Sequence, residues 1–261
     1  MGPALLLLTD SRLPAGGHAH SGGAEQAIAS GAVHDVPSLA AFLRGRLHTA
    51  GTVTAAFAAA ACTHAASPPQ PTTPEPATPV DAAPGPATTV DAAPGPGPFA
   101  VAGPGPMSWV VLDAEVDART AAPAQREASR TQGRLLLRVA RRVWPSPILG
   151  DLSRTVPNPH HPIALGAAAH AAGATPEEAA MAAAYHAVSG PATAAVRLLG
   201  LDPVAVHGLL ADLTPDLTAV AARAHLAAAG QAPESLPAHS APALDLLAER
   251  HARTKIRLFV S

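Results

Sequence analysis

At 261 residues the chain is long enough for one large or two small domains, and it is 48% hydrophobic but only 3% aromatic, so any core must be built from Ala, Leu and Val. That favours close-packed helices over a sheet, because the aromatic and alternating β-branched residues that fill strands are scarce. A net charge of −2 excludes a global basic field for nucleic acid or an acidic membrane; the single cysteine, Cys62, excludes a disulfide framework and fits a reducing cytoplasm.

The first apolar run, ALLLL at 4–8, is too short to span a membrane, and no basic stretch precedes it. It reads as the buried side of a first helix, with no signal peptide. TDSRLPAGGHAHSGGAEQAI follows at 9–28, with four glycines, a proline and an HxH. A phosphate loop, a metal site and a bend between helices are the three candidates. The phosphate loop fails because no GxxxxGK[ST] occurs and the one lysine is Lys255. His18 and His20 could both reach one nickel or zinc ion, but a third ligand must come from elsewhere. A His-based nickel carrier is therefore the alternative reading. The simplest reading is a tight turn. Pro14 ends the first helix, Gly16 and Gly23 supply positive φ, and Ser21 caps the next helix. Glu25, on the first turn of that helix, stays local or lines a polar interior path.

Residues 37–65 read as helical after Asp35 as N-cap. Between 67 and 106 the pattern breaks: those 40 residues hold 13 prolines and 5 glycines and repeat VDAAPGP. Such a stretch has too few large apolar groups to offset ordering entropy, so disorder is expected there. Helices are then predicted over 108–121, with Trp109, Leu112 and Val116 on one side, and from Pro123 through Val143, stopped by WPSP. HHPIALGAAAHAAG ends a helix at Gly173. Thr175, Pro176 and Glu178 open another in a capping-box pattern, which Gly190-Pro191 should kink or split. DPVAVHGLLADL, TPDLTAVAARAHLAAAG and PALDLLAERHAR complete an all-α chain, a single bundle of about eight to ten helices. The organisation is 1–66, the insertion 67–106, 107–248 for the rest of the bundle, and a tail over 249–261.

Chemistry for catalysis is missing. HExxH, CxxC and GxSxG do not occur, and Cys62 with His64 reads as an inert thiol near a helix end. Arg126, Arg130, Arg134 and Arg138 form a basic stripe at i+4 spacing, extended by Arg141-Arg142. Only Glu127 could pair with it inside that helix, so neighbouring helices or an acidic partner must complement it. The last residues, RLFVS, end on large apolar side chains, which either dock back on the bundle or enter another protein.

Three blocks together resemble the UreF family of urease accessory proteins. In the glycine-rich block, Ser11, Leu13, Pro14, Gly16, Ser21, Gly23 and Glu25 fill that family's signature. In QREASRTQGRLLL, Arg126, Ser129, Gly133, Leu136 and Leu137 match its R-x-x-S-x-x-x-G-x-x-L-L helix. In the tail, Arg257, Leu258, Phe259 and Ser261 match its R-L-F-x-S ending. The resemblance implies an all-α homodimer in the cytoplasm that is not an enzyme. It implies a scaffold that bridges UreD (also called UreH) and the GTPase UreG, modulates the GTP cycle, and docks with them on apo-urease for nickel insertion. No cofactor of its own is implied; nickel is handled by the complex. It also favours partner docking for the tail, with Glu25, Arg250, Arg253, Arg257, Leu258, Phe259 and Ser261 as contact candidates. No nucleic acid or membrane partner is expected.

Overall fold

The computed structural model describes residues 2–10, 12–67, 107–229 and 232–261; most of the Pro-rich stretch therefore lies outside the described residues. The α-helices are α1 (Pro3–Thr9), α2 (Ala24–Ala29), α3 (Val36–Arg46), α4 (Thr52–Ala66), α5 (Trp109–Ala118), α6 (Pro123–Val143) and α7 (Pro147–Thr155). They continue with α8 (His161–Ala171), α9 (Pro176–Leu199), α10 (Pro203–Asp212), α11 (Thr214–Ala228) and α12 (Pro242–Arg253). No strand occurs among the described residues, as the shortage of aromatic and alternating β-branched residues predicts. No helix among them is long and apolar enough to cross a membrane.

Alanine sets the packing. In α4 every residue from Ala55 to Cys62 is buried, and in α8 every residue from Pro162 to Ala169 is buried. Helices apolar on all sides belong in a core, and α4, α8, α9 and α11 pack there against one another. Small side chains let these backbones come close. A Cβ on Gly166 of α8 would lie 2.6 Å from Ala61 Cβ and 2.8 Å from Cys62 N of α4.

Several helix starts follow the sequence signals. Asp35 and Ser38 form a reciprocal capping box on α3, and Thr175 with Glu178 forms another on α9. Gly173 follows α8 at φ 82°, a conformation that favours glycine. α3 and α4 join without a break through one π-turn, Leu47–Gly51, closed on one side by Thr52 Oγ1 donating to Leu47 O at 3.2 Å.

Other expectations are corrected. The first helix ends at Thr9, not at Pro14: Asp10 turns the chain by accepting from Arg12 N at 2.8 Å. The N-cap position of α2 is Gly23, at φ 90°; Ser21, two residues earlier, still accepts from Glu25 N on its hydroxyl at 3.4 Å, and the same hydroxyl holds the tail. α7 had no predicted counterpart, because Pro147 reads as a stop signal when it is in fact the first residue of a new helix. α9 is not split at Gly190-Pro191. It runs unbroken for 24 residues, since its packing on α2, α3, α4 and α11 outweighs one missing N–H.

Candidate protein-docking site

The glycine block and the tail, more than 200 residues apart in sequence, form one structure. After α12 the chain bends back across the loop between α1 and α2. Glu25 accepts two successive tail amides, Leu258 N on Oε1 at 2.7 Å and Phe259 N on Oε2 at 3.1 Å. Val260 N donates to Ala19 O at 2.7 Å. Ser21 donates to Ser261 O twice, from its backbone N at 2.5 Å and its hydroxyl at 2.9 Å. His20 Nδ1 lies 2.5 Å from Ser261 Oγ. His251, buried on the last turn of α12, holds Phe259 O with Nε2 at 3.2 Å, and its Nδ1 is 3.8 Å from Glu25 Oε2. Gly16, Gly22 and Gly23 all have positive φ, which lets the loop curl tightly enough to present these groups.

Phe259 points inward and is buried against Ala24, Ala194, Phe42 and Leu198. Ile256, Leu258 and Val260 point outward and are 90%, 79% and 53% exposed. Arg250, Arg253, Lys255 and Arg257 are exposed around this apolar row. Of the sequence candidates, then, Glu25, Phe259 and Ser261 hold the tail to its own chain, Leu258, Arg250 and Arg253 face solvent, and Arg257, also exposed, borders the cavity under the glycine loop. Pro14 is an exposed loop residue, and Ser11 and the His18 side chain lie outside the described residues. Sequence reasoning missed His251, Ile256 and Gly22, while Val260 was already among the terminal apolar side chains it singled out. Nothing local marks His251.

The second block is a joint between α6 and the start of α8. Ser129 Oγ accepts from His161 N at 3.1 Å and lies 3.0 Å from His160 Nδ1. His160 Nε2 is 2.9 Å from Asp117 Oδ1, and His160 N donates to Asp113 Oδ1 at 2.8 Å. Gly133 faces the same segment: a Cβ there would be 2.8 Å from His160 C and 2.9 Å from His161 N, and closer still to Pro159 O. Arg130 pairs with both Asp113 and Asp117, and Arg126 reaches Asp117 at 3.9 Å. The first half of the arginine stripe is thus complemented by α5. Burial opposes charge on Asp117, but hydrogen bonds from His160 and Arg130 outweigh it and lower its pKa.

Among the described residues, Asp113, Asp117 and His160 are the only three potential ligands that come within range of one metal ion. Their cation is already Arg130, bonded to both carboxylates, so this reads as a structural ion-pair network. Cys62 is buried and its thiol is pushed up to about 12 by desolvation first, so a thiolate nucleophile is not formed near neutrality. His64 packs edge-on against Trp109 instead.

His160 and His161 have separate partners. His161 meets His186 of α9 at 5.8 Å between ring centroids. Burial lowers the pKa of His161 to about 3 and of His186 to about 4, with mutual repulsion adding to the first. Unfolded, both would titrate near 6.5 and bind protons that the folded chain refuses. Stability should be intact above that pH, fall as pH drops below it, and level off once the folded groups titrate. The expected slope is about 1 kcal/mol per pH unit for each histidine. Denaturant melts between about pH 7 and pH 5 test this: His186→Gln should flatten the slope, and an unchanged slope would refute the assignment.

A family model for UreF matches residues 33–214. The chain is 41% identical over 257 residues to the urease accessory protein UreF of Mycolicibacterium vanbaalenii, covering 98% of this chain and 97% of that protein. It is 42% identical to the protein of that name from Mycobacterium sp. strain JLS and 38% identical to the one from Mycobacterium tuberculosis H37Rv, with the same coverage. With the family model spanning more than half of the sequence and such relatives matching along nearly all of it, the chain belongs to the UreF family of urease accessory proteins.

Proposed function

We propose that this chain is a non-enzymatic scaffold for urease maturation. In this reading it is a cytoplasmic homodimer that bridges UreD (UreH) and the GTPase UreG, modulates the GTP cycle, and docks with them on apo-urease. Nickel is cargo of the assembled complex.

The observation that carries the reading is the set of exposed apolar side chains Ile256, Leu258 and Val260 on a segment with the exposed cations Arg250, Arg253, Lys255 and Arg257. Three large exposed apolar side chains on a pinned segment that also carries exposed cations suit a protein-binding hot spot. Backbone pinning by Glu25 and Ser21 removes much of the entropy that a free tail would lose on binding.

Co-expression with UreD and UreG tests it. Leu258→Glu alters only the outward face, so it should leave the melting temperature unchanged and weaken UreD capture by at least about thirtyfold, the weight of a ~2 kcal/mol hot spot. Deleting 257–261 should abolish capture altogether. Full capture by both variants would refute the tail assignment. The purified chain alone should hydrolyse no GTP, and sustained turnover would refute the scaffold reading.

A further inference from the structure

Beneath the glycine loop, α4, α6 and α12 line a cavity of about 340 Å³. Its wall includes Arg46, the last residue of α3, placed there by the π-turn that follows. Arg46 Nε donates to Ala187 O at 2.9 Å. Its two Nη groups have no hydrogen-bond partner and no carboxylate within 4 Å among the described residues, yet they are not sealed in packing. Desolvation lowers the pKa to about 10, which still leaves the group cationic at neutral pH. The guanidinium is half-buried and open to the cavity, so its two Nη groups are available as donors to a bound oxyanion.

The surroundings suit an anion. Gly22 sits directly over the guanidinium: a Cβ there would be 3.1 Å from Arg46 Nη2, so this glycine makes room for the fork. Gln132 adds an amide donor and Arg257 of the tail a second cation to the same cavity. Glu127 and Asp245 also line it, but neither pairs with Arg46. We propose that this cavity binds a small oxyanion of the phosphate or carboxylate class through Arg46 and Arg257, and that occupancy fastens the tail to the glycine loop. An arginine fork grips such oxyanions with two parallel hydrogen bonds. Because Arg257 belongs to the tail, an anion shared between the two arginines must favour the docked tail over the free one.

Isothermal calorimetry on the full chain, with inorganic phosphate and with succinate at matched ionic strength, tests the site. Carboxypeptidase digestion of the tail reads the coupling. One of the two probes should bind saturably, which assigns the phosphate or the carboxylate class, and should slow tail release. Arg46→Gln should weaken binding at least about tenfold, the value of one charged hydrogen bond. Ala128→Leu, which fills the cavity from α6 and leaves Arg46 in place, should do the same and keeps the test intact if Arg46→Gln does not fold. Absence of saturable heat with both probes, or wild-type affinity in Ala128→Leu, would overturn the site. Tail release unaffected by a saturating probe would overturn the coupling.

Discussion

Gly133→Ala should destabilise the protein by about 3 kcal/mol or more, at or beyond the upper end of ordinary overpacking. The added methyl would meet backbone, not the movable end of a side chain. His160 C and His161 N would lie within 3 Å of it, and Pro159 O nearer still. Relief requires α6 and the start of α8 to separate, which would also pull Ser129 from His161 N and His160 from Asp113 and Asp117. The loss therefore includes a buried polar network that, once opened, leaves unsatisfied groups behind. Gly45→Ala is the matched control. It lies on an exposed turn of α3 with nothing within 4 Å of a new Cβ, and should gain about 0.5–1 kcal/mol from helix propensity alone. Urea unfolding of both variants gives the comparison; similar midpoints would mean that α6 and α8 do not approach this closely.

Glu25→Ala should release the tail while leaving the bundle folded. The carboxylate is the only described side chain that accepts both Leu258 N and Phe259 N. Losing two charge-assisted bonds at a partly exposed site should cost about 2 kcal/mol, or some thirtyfold in the ratio of docked to free tail. Hydrogen exchange at the 258 and 259 amides measures that ratio directly. Phe259→Ala separates the apolar contribution, since it removes the buried ring and keeps the carboxylate. If exchange at those amides stays slow in Glu25→Ala, the tail is held by Phe259 and the Ser21 contacts. Coupled with the UreD capture assay, the two variants also decide whether the scaffold needs a docked tail or only its outward side chains.

These two sites differ in how far they were readable. The pattern R-x-x-S-x-x-x-G at 126–133 marked Ser129 and Gly133, but their task, receiving the start of α8, depends on where α8 lies. Glu25 and the RLF of the tail were marked in the same way. Their direct pairing was not, because a contact across 233 residues has no local period or spacing to betray it. His18 and His20 suggested a chelate, whereas the structure commits one nitrogen of His20 to Ser261. The basic stripe looked uncompensated because its acids, Asp113 and Asp117, come from another helix.

By itself the sequence determined the all-α class, the caps of α3 and α9 and the ending of α8. Each rests on short-range chemistry: composition, a side chain reaching a backbone amide three residues on, or a glycine at positive φ. Tertiary structure alone decided that α9 runs through Pro191, that Ser21 also holds the tail, and that Arg46 faces a cavity. For α9, packing between distant helices supplied more free energy than the local preference of Gly190-Pro191 that it overrode.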